Sequence, residues 1–241
     1  MSLAVLILTY NEAAHIAECI QSVATAADDV VVIDAGSRED TVRLAPAAGA
    51  RVVAQTMTEV FAAQRNFALA QTGADWVFYL DADERVTPEL AAELRRICRQ
   101  PSAQQAYAVQ RRNIAFGKRV NHGVLRPDRV ARLFGRESVT WKGRVHERPV
   151  GNWSVAVLPG YLWHHTYSDW HRYFVKFNNY TTLWAQEAHA RGKRSNWFDA
   201  FVHAKVAFLQ TYFFKRGFLD GWLGLVLCCF HFAYTLAKYV K

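Results

Sequence analysis

Three short runs of uninterrupted apolar residues constrain the fold more than any other feature of the chain: Leu3-Ala4-Val5-Leu6-Ile7-Leu8, Val30-Val31-Val32-Ile33 and Trp76-Val77-Phe78-Tyr79-Leu80. A strand with one wet face alternates apolar and polar residues, whereas an unbroken run fits a strand covered on both faces, as in parallel sheets flanked by helices. Between the runs, residues 13–24, 41–48 and 61–70 carry helical spacing. Thr87-Pro88-Glu89 opens a further helix with an N-cap, a proline at the first helical position and an acid in the first turn. Residues 51–54 make a plausible fourth strand. Each long run stops on polar groups: Thr9-Tyr10-Asn11-Glu12, Asp34 and Asp81-Ala82-Asp83. In open α/β sheets the ligand crevice lies at these carboxyl ends. The opening run lacks a basic leader and is cut short by Asn11-Glu12, so it reads as a buried strand and not as a signal peptide.

With 241 residues, 51% hydrophobic and 14% aromatic, the chain can bury a large core and lacks the composition of a disordered segment. Its four cysteines, Cys19, Cys98, Cys228 and Cys229, form no CxxC pair, which argues against a zinc site or disulfide framework and for a reducing cytoplasm. The net charge of +8 is unevenly spread. Residues 1–100 hold eight Arg, no Lys and fourteen Asp/Glu, while residues 101–241 hold twenty-one Lys/Arg against seven Asp/Glu. Texture changes with charge: from about residue 106 the chain is Arg-rich, with short strands expected at 106–110, 130–134 and 153–158. Helical pattern studded with Trp, Tyr and Phe follows Tyr167. The expected organisation is a catalytic domain over 1–165, divided at 105/106, and a helical, membrane-associating region over 166–241. Residues 221–237 form an apolar stretch at the lower limit of the ~17–25 residues that span a bilayer. Aromatic residues beside Lys215-Arg216 are also what an interfacial helix uses.

Asp81 and Asp83 put two carboxylates on one turn, and hard oxygen ligands suit Mg²⁺ or Mn²⁺ bridging a diphosphate. A strand-end Asp equally caps a helix or closes a turn, and Asp34 in Asp34-Ala35-Gly36-Ser37 reads first as a turn residue.

In order and spacing these pieces resemble the inverting family 2 glycosyltransferases, whose nucleotide-sugar domain is a Rossmann-like sheet of GT-A fold. The matching text is Leu8-Thr9-Tyr10-Asn11-Glu12, Val32-Ile33-Asp34-Ala35-Gly36-Ser37-Arg38-Glu39-Asp40-Thr41, Ala63-Gln64-Arg65-Asn66 and Leu80-Asp81-Ala82-Asp83-Glu84. The resemblance implies that Thr9, Asn11, Glu12, Asp34 and Arg65 line the nucleoside pocket, that Asp81 holds the ribose and that Asp83 holds the metal-diphosphate. Many relatives have two acids where this chain has Asp34-Ala35, so only Asp34 is carried over. Downstream, Trp141-Lys142-Gly143-Arg144-Val145-His146-Glu147, Trp163-His164-His165-Thr166-Tyr167 and Lys215-Arg216-Gly217-Phe218-Leu219-Asp220-Gly221 look like the branch that contains bacterial lipopolysaccharide-core glucosyltransferases. An inverting transfer needs one carboxylate to take the acceptor proton while cations support the departing diphosphate. Glu147, one of the seven acids in the basic half, is the choice for that base, with an ion pair to Arg144 or Arg148 as the plain alternative; His146 either orients it or packs. Arg129 and Arg132 could clamp the diphosphate or acceptor phosphates, or be solvated strand arginines. His164 is a further metal or diphosphate contact, or a structural histidine.

The expected function is a metal-dependent hexosyltransferase moving glucose from a UDP-linked sugar to a lipopolysaccharide-core or related lipid-linked glycan. The setting is cytoplasmic, peripheral on the anionic inner face of the inner membrane. A polyprenyl-phosphate acceptor is the alternative within the class. A nucleic-acid-binding module or a catalytically silent membrane adaptor would account for the basic aromatic half but leave the strand-end acids unexplained, so no nucleic-acid partner is expected.

Overall fold

The computed structural model describes residues 1–56, 61–101, 105–143 and 147–241. These form two compact units, one of Met1–Arg111 with Arg129–His164 and the other of Arg112–Asp128 with His165–Lys241.

The first unit begins with β1 (Leu3–Thr9), α1 (Ile16–Val23), β2 (Asp29–Asp34), α2 (Thr41–Ala47), β3 (Arg51–Ala54), α3 (Phe61–Ala70) and β4 (Trp76–Asp81). β1 pairs in parallel with β2 and with β4, and β3 lies outside β2. The three apolar runs are therefore neighbouring strands, and alternate side chains of each go to opposite faces. Leu3, Val5 and Ile7 join Val32, Phe78 and Leu80 in a core with Ile16, Cys19, Ile20 and Val23 of α1, which stand at i, i+3, i+4 and i+7. Ala4 and Leu6 face the other way, with Val31, Ile33, Val77 and Tyr79, against Ala62 and Ala68 of α3. Both faces are covered, which is why the runs show no alternation.

The chain continues through β5 (Glu84–Val86), α4 (Pro88–Cys98), β6 (Gln105–Ala115), β7 (Lys118–Val120), β8 (Arg129–Gly135), β9 (Thr140–Lys142), β10 (Arg148–Val150) and β11 (Ser154–Tyr167). Thr87 caps α4 as its sequence predicts, its hydroxyl accepting from the Leu90 N–H at 3.3 Å. The main sheet runs β3-β2-β1-β4-β8-β6-β11-β5, with β7 beside β6, while β9 and β10 form a separate ribbon. The pairs β4–β8, β8–β6, β6–β7, β11–β5 and β9–β10 are antiparallel. The strand expected at 153–158 continues to Tyr167, because its aromatic and β-branched residues carry on past Gly160, whose missing side chain lets β11 pass close to Leu90. That extension brings His164 opposite Glu84 of β5.

The second unit holds the last helices, α5 (Trp170–Ala190), α6 (Trp197–Leu209) and α7 (Gly221–Val240), the last two joined by a π-helical turn over Gln210–Phe214 and a 3₁₀ turn over Gly217–Asp220. Asp169 and Asn196 cap α5 and α6, accepting from the N–H groups of Arg172 and Asp199. Its core gathers Ala115, Val120, Tyr173, Leu223 and Leu227, ringed by Phe116, Tyr167, Trp170 and Phe230. All four cysteines are free.

Phe78 is fully buried in the central strand pairings. Phe78→Ala is expected to cost about 3–5 kcal/mol in urea denaturation, the range for emptying an aromatic site in a core that cannot collapse.

Candidate active site at the strand ends

Parallel register sets the first corner of the site. Thr9 pairs with Asp34 and Leu8 with Asp81, so the polar ends of three strands finish level with one another. Asp34 is 4% exposed, and its carboxylate turns back on its own loop. Oδ2 accepts from the N–H groups of Gly36 and Ser37 at 3.0 and 2.9 Å, and Oδ1 accepts from the Ser37 hydroxyl at 2.5 Å. Gly36 supplies the positive φ of +91° that this turn requires. The Ser37 oxygen in turn accepts from the Asn11 N–H at 2.8 Å, while Asn11 Oδ1 accepts from the Arg38 N–H at 2.8 Å. Glu12 adds a third tie, its N–H donating to Thr41 Oγ1 at 3.0 Å. The loops after β1 and β2 are thereby latched together. Beneath them Thr9 Oγ1 is buried and has no hydrogen-bond partner among the described residues.

The second corner is a chain of carboxylates and guanidinium groups. Arg132 of β8, 4% exposed, forms a bidentate pair with Asp81 and donates to Glu84 Oε1 at 2.7 Å. Glu84 has no exposed surface; it also receives Arg111 at 3.4 Å and accepts the Asp81 N–H at 2.9 Å. Arg65 of α3 spans the gap on the other side, with Nη2 3.4 Å from Asp81 Oδ1 and 3.3 Å from Glu147 Oε1. Its guanidinium lies over the Trp141 ring at 4.6 Å and that of Tyr79 at 5.7 Å. Burial works against a charge on Asp81, but Arg132 and then Arg65 overcome it and hold the carboxyl well below its usual range. Burial dominates at Glu84, where it is opposed by Arg132 and reinforced by the Asp81 charge, and the carboxyl is pushed up. Asp81 is thus the firmer anion of the two that share Arg132.

The third corner is Asp83 with His164, whose Nε2 lies 3.6 Å from Asp83 Oδ2. Among the described residues no group of three or more His, Cys, Asp and Glu could hold a metal ion by itself. A carboxylate with one imidazole is nevertheless a workable donor set for a divalent cation, since Mg²⁺ and similar hard ions bind through one or two carboxylates and take their other ligands from phosphate oxygens and water.

Of the residues singled out from sequence, the structure brings Arg65, Asp81, Arg132 and Glu147 into one network and sets Asp83 against His164. Thr9, Asn11, Glu12 and Asp34 share the β1–β2 corner. Arg129 is exposed at the start of β8 whereas Arg132 is buried, and the register of β8 against β6 shifts between them, leaving Arg132 as the extra residue. The partner of Glu147 is Arg65, and Arg148 is exposed; Arg144 and His146 lie outside the described residues. Sequence reasoning missed Glu84, Arg111 and Trp141. Glu84 stood in view as the residue after Asp81-Ala82-Asp83, and an acid beside a buried strand was the available signal. Arg132→Met should leave Glu84 without its nearest cation and cost about 3–5 kcal/mol in urea denaturation. Arg132→Lys should recover only part of it, since one ammonium cannot bridge two carboxylates as a guanidinium does. An Arg132→Met protein as stable as the parent would mean that other groups hold both carboxylates.

Comparison with known proteins meets this geometry. The family model described as glycosyl transferase family 2 matches residues 4–153. A lipopolysaccharide core biosynthesis glycosyltransferase, LpsC of Rhizobium meliloti (strain 1021), is 29% identical over 243 residues, covering 94% of this chain and 88% of its own. An uncharacterized glycosyltransferase of Rickettsia prowazekii (strain Madrid E) is 27% identical over 232 residues, covering 91% and 79%. Among solved structures, S. aureus TarS 1-349 aligns over 98% of this chain and 81% of its own, at 14% identity and a TM-score of 0.49. The parallel half, the antiparallel half and the helical carboxy-terminal region together make the α/β, GT-A type of fold. The matched segment contains every strand-end motif from Thr9 to Glu147, and the chain belongs to glycosyl transferase family 2.

Proposed function

We propose that this glycosyltransferase is an inverting hexosyltransferase that moves glucose from a UDP-linked donor to a lipopolysaccharide-core or related lipid-linked glycan, working in the cytoplasm against the inner face of the inner membrane. The observation that carries the reading is the Arg65 guanidinium, which joins Glu147 to Asp81. One cation thereby ties the candidate base to the end of the donor strand. The name of the Rhizobium relative, with its lipopolysaccharide core role, supports the acceptor class; the UDP-linked hexose is what the family resemblance implies.

In this reading Thr9, Asn11, Glu12 and Asp34 form the nucleoside corner. Asp34 acts through the turn it holds, and the buried, unpartnered Thr9 hydroxyl supplies a hydrogen-bonding group there. Asp81, kept ionised by Arg132 and Arg65, accepts hydrogen bonds from the ribose. Arg132 serves by fixing Asp81 and Glu84, and the exposed Arg129 is left to meet acceptor or donor phosphate. Asp83 and His164 would hold Mg²⁺ or Mn²⁺, which supplies charge compensation to the departing diphosphate. Glu147 takes the acceptor hydroxyl proton on the face opposite the leaving group, and Arg65 orients its carboxylate.

Two experiments test the assignment. Asp83→Ala should abolish the metal-dependent part of UDP affinity in calorimetry while the thermal unfolding of the free protein stays near that of the parent; unchanged metal-dependent affinity would remove Asp83 from the metal site. Glu147→Gln should lower kcat by roughly 10²–10⁴-fold with donor affinity little changed. Near-normal turnover by a folded Glu147→Gln enzyme would move the base elsewhere and leave the Arg65 pair as a structural contact.

A further inference from the structure

Most of the bulky apolar side chains of α6 are left outside its packing on α7. On α6 the buried positions are Ala200 and Ala204, while Trp197, Phe198, Phe201, Val202, Val206 and Leu209 are exposed, Trp197 at 80%. Phe213 and Phe214 of the following turn continue this surface, Phe214 at 84% exposure. Phe218, Leu219, Trp222 and Leu225 extend it past the turn onto α7. Across the seam Phe201 stands edge-on to Phe232 and His203 stacks on Tyr239, beside the buried Ala200 and Ala204. Past α6 the 3₁₀ turn sits tightly on α7: a side chain on Gly217 would come 2.8 Å from Cys228 Sγ, and one on Gly224 would collide with the Gly217 carbonyl. Helices leave large apolar residues outside where the surroundings are as apolar as the side chains. A soluble monomer seldom exposes so extended an apolar surface without a partner for it.

Charge identifies the partner. Lys205, Lys215 and Arg216 lie among these aromatics against one exposed acid, Asp199 in the first turn of α6, whereas the acid of the turn, Asp220, is spent inside the unit. Its carboxylate accepts the N–H groups of Asn121 and His122, and pairs with His122 Nδ1 at 3.0 Å. A surface of exposed aromatics with an excess of cations complements anionic lipid headgroups over an acyl interior. A second copy would bring like charges together.

The mode of contact follows from α5. Residues Gly217–Val240 are long and apolar enough to cross a bilayer. Yet Phe230 packs on Trp170 near the start of α5, and Lys241 Nζ binds Asn178, Thr181 and Thr182 along the same helix. α7 is thus held lengthwise against a helix that exposes Arg172 and Lys176. A spanning α7 would drag those charges into the hydrocarbon.

We propose that α6, the turn over residues 210–220 and the outward side of α7 form a docking hairpin that lies in the interface of an anionic bilayer without crossing it. The inference deepens the reading of a lipid-linked acceptor and rests on it only for its purpose; the surface itself rests on the packing.

The test uses the whole protein in flotation with vesicles of phosphatidylcholine, alone or with phosphatidylglycerol. Binding should require the anionic lipid, fall at least tenfold between low and high salt, and fall at least tenfold in both Phe213→Ser/Phe214→Ser and Lys205→Glu/Lys215→Glu. Soluble UDP affinity should not change in either variant. A nitroxide on Cys229, the one exposed thiol of the four, should report a depth near the headgroups. A label at the bilayer centre would overturn the interfacial mode. Absence of binding at low salt, or a dimer that Phe213→Ser/Phe214→Ser converts to monomer without any lipid binding, would overturn the docking surface. Asp83→Ala and Glu147→Gln should bind vesicles as the parent does, so a failure of the catalytic reading is told apart from a failure of this one.

Discussion

Every group at the strand-end corner depends on the parallel pairing of β1 with β2 on one side and β4 on the other. A single register aligns Thr9 with Asp34 and Leu8 with Asp81. Slipping either pair by one residue would turn a strand's side chains to the opposite faces, burying polar ends and exposing apolar ones. The two hydrophobic layers that clasp β1 make that slip expensive, since Leu3, Val5 and Ile7 fill one layer and Ala4 and Leu6 the other. The cores therefore do more than stabilise the sheet: they hold the strand ends level.

Placing acids at the ends of buried strands creates an electrostatic problem that this chain resolves with arginine. Asp81 and Glu84 share Arg132, and Arg111 and Arg65 approach from either side. Arg suits the task because its planar fork reaches two carboxylates at once and stays charged when desolvated. The result is a rigid, charged floor in which Asp81 retains its negative charge close to water. Arg65 carries the arrangement outward to Glu147, stacked on Trp141 so that its approach angle is set by an aromatic wall as well as by charge.

The helical unit obeys a different economy. Its core, around Tyr173, Leu223 and Leu227, is aromatic and apolar in the ordinary way. At the α6–α7 seam Ala200 and Ala204 are buried and Phe201 meets Phe232, while most bulky apolar groups of α6 are left outside. Such a division wastes the hydrophobic effect in water and wastes nothing where the outer surface meets lipid.

Local pattern alone determined the strands of the parallel half, the Thr87 cap and the sites where polar residues end apolar runs, because each depends on neighbours within a few positions. The turn role of Asp34 was legible for the same reason: its partners Gly36 and Ser37 follow within three residues. Motif order was enough for the family. What only the tertiary structure decided is partnership across the chain. Glu147 meets Arg65, 82 residues away, and not the neighbouring Arg148. His164 reaches Asp83 because β11 runs on to Tyr167 and pairs with β5. Glu84 became central once β8 lay against β4, and Arg132 was buried while Arg129 stayed exposed because the register of β8 against β6 shifts between them. Sequence shows which side chains carry charge, but an ion pair forms between groups that the sheet brings within a few ångströms, and that distance is set by strand register and packing.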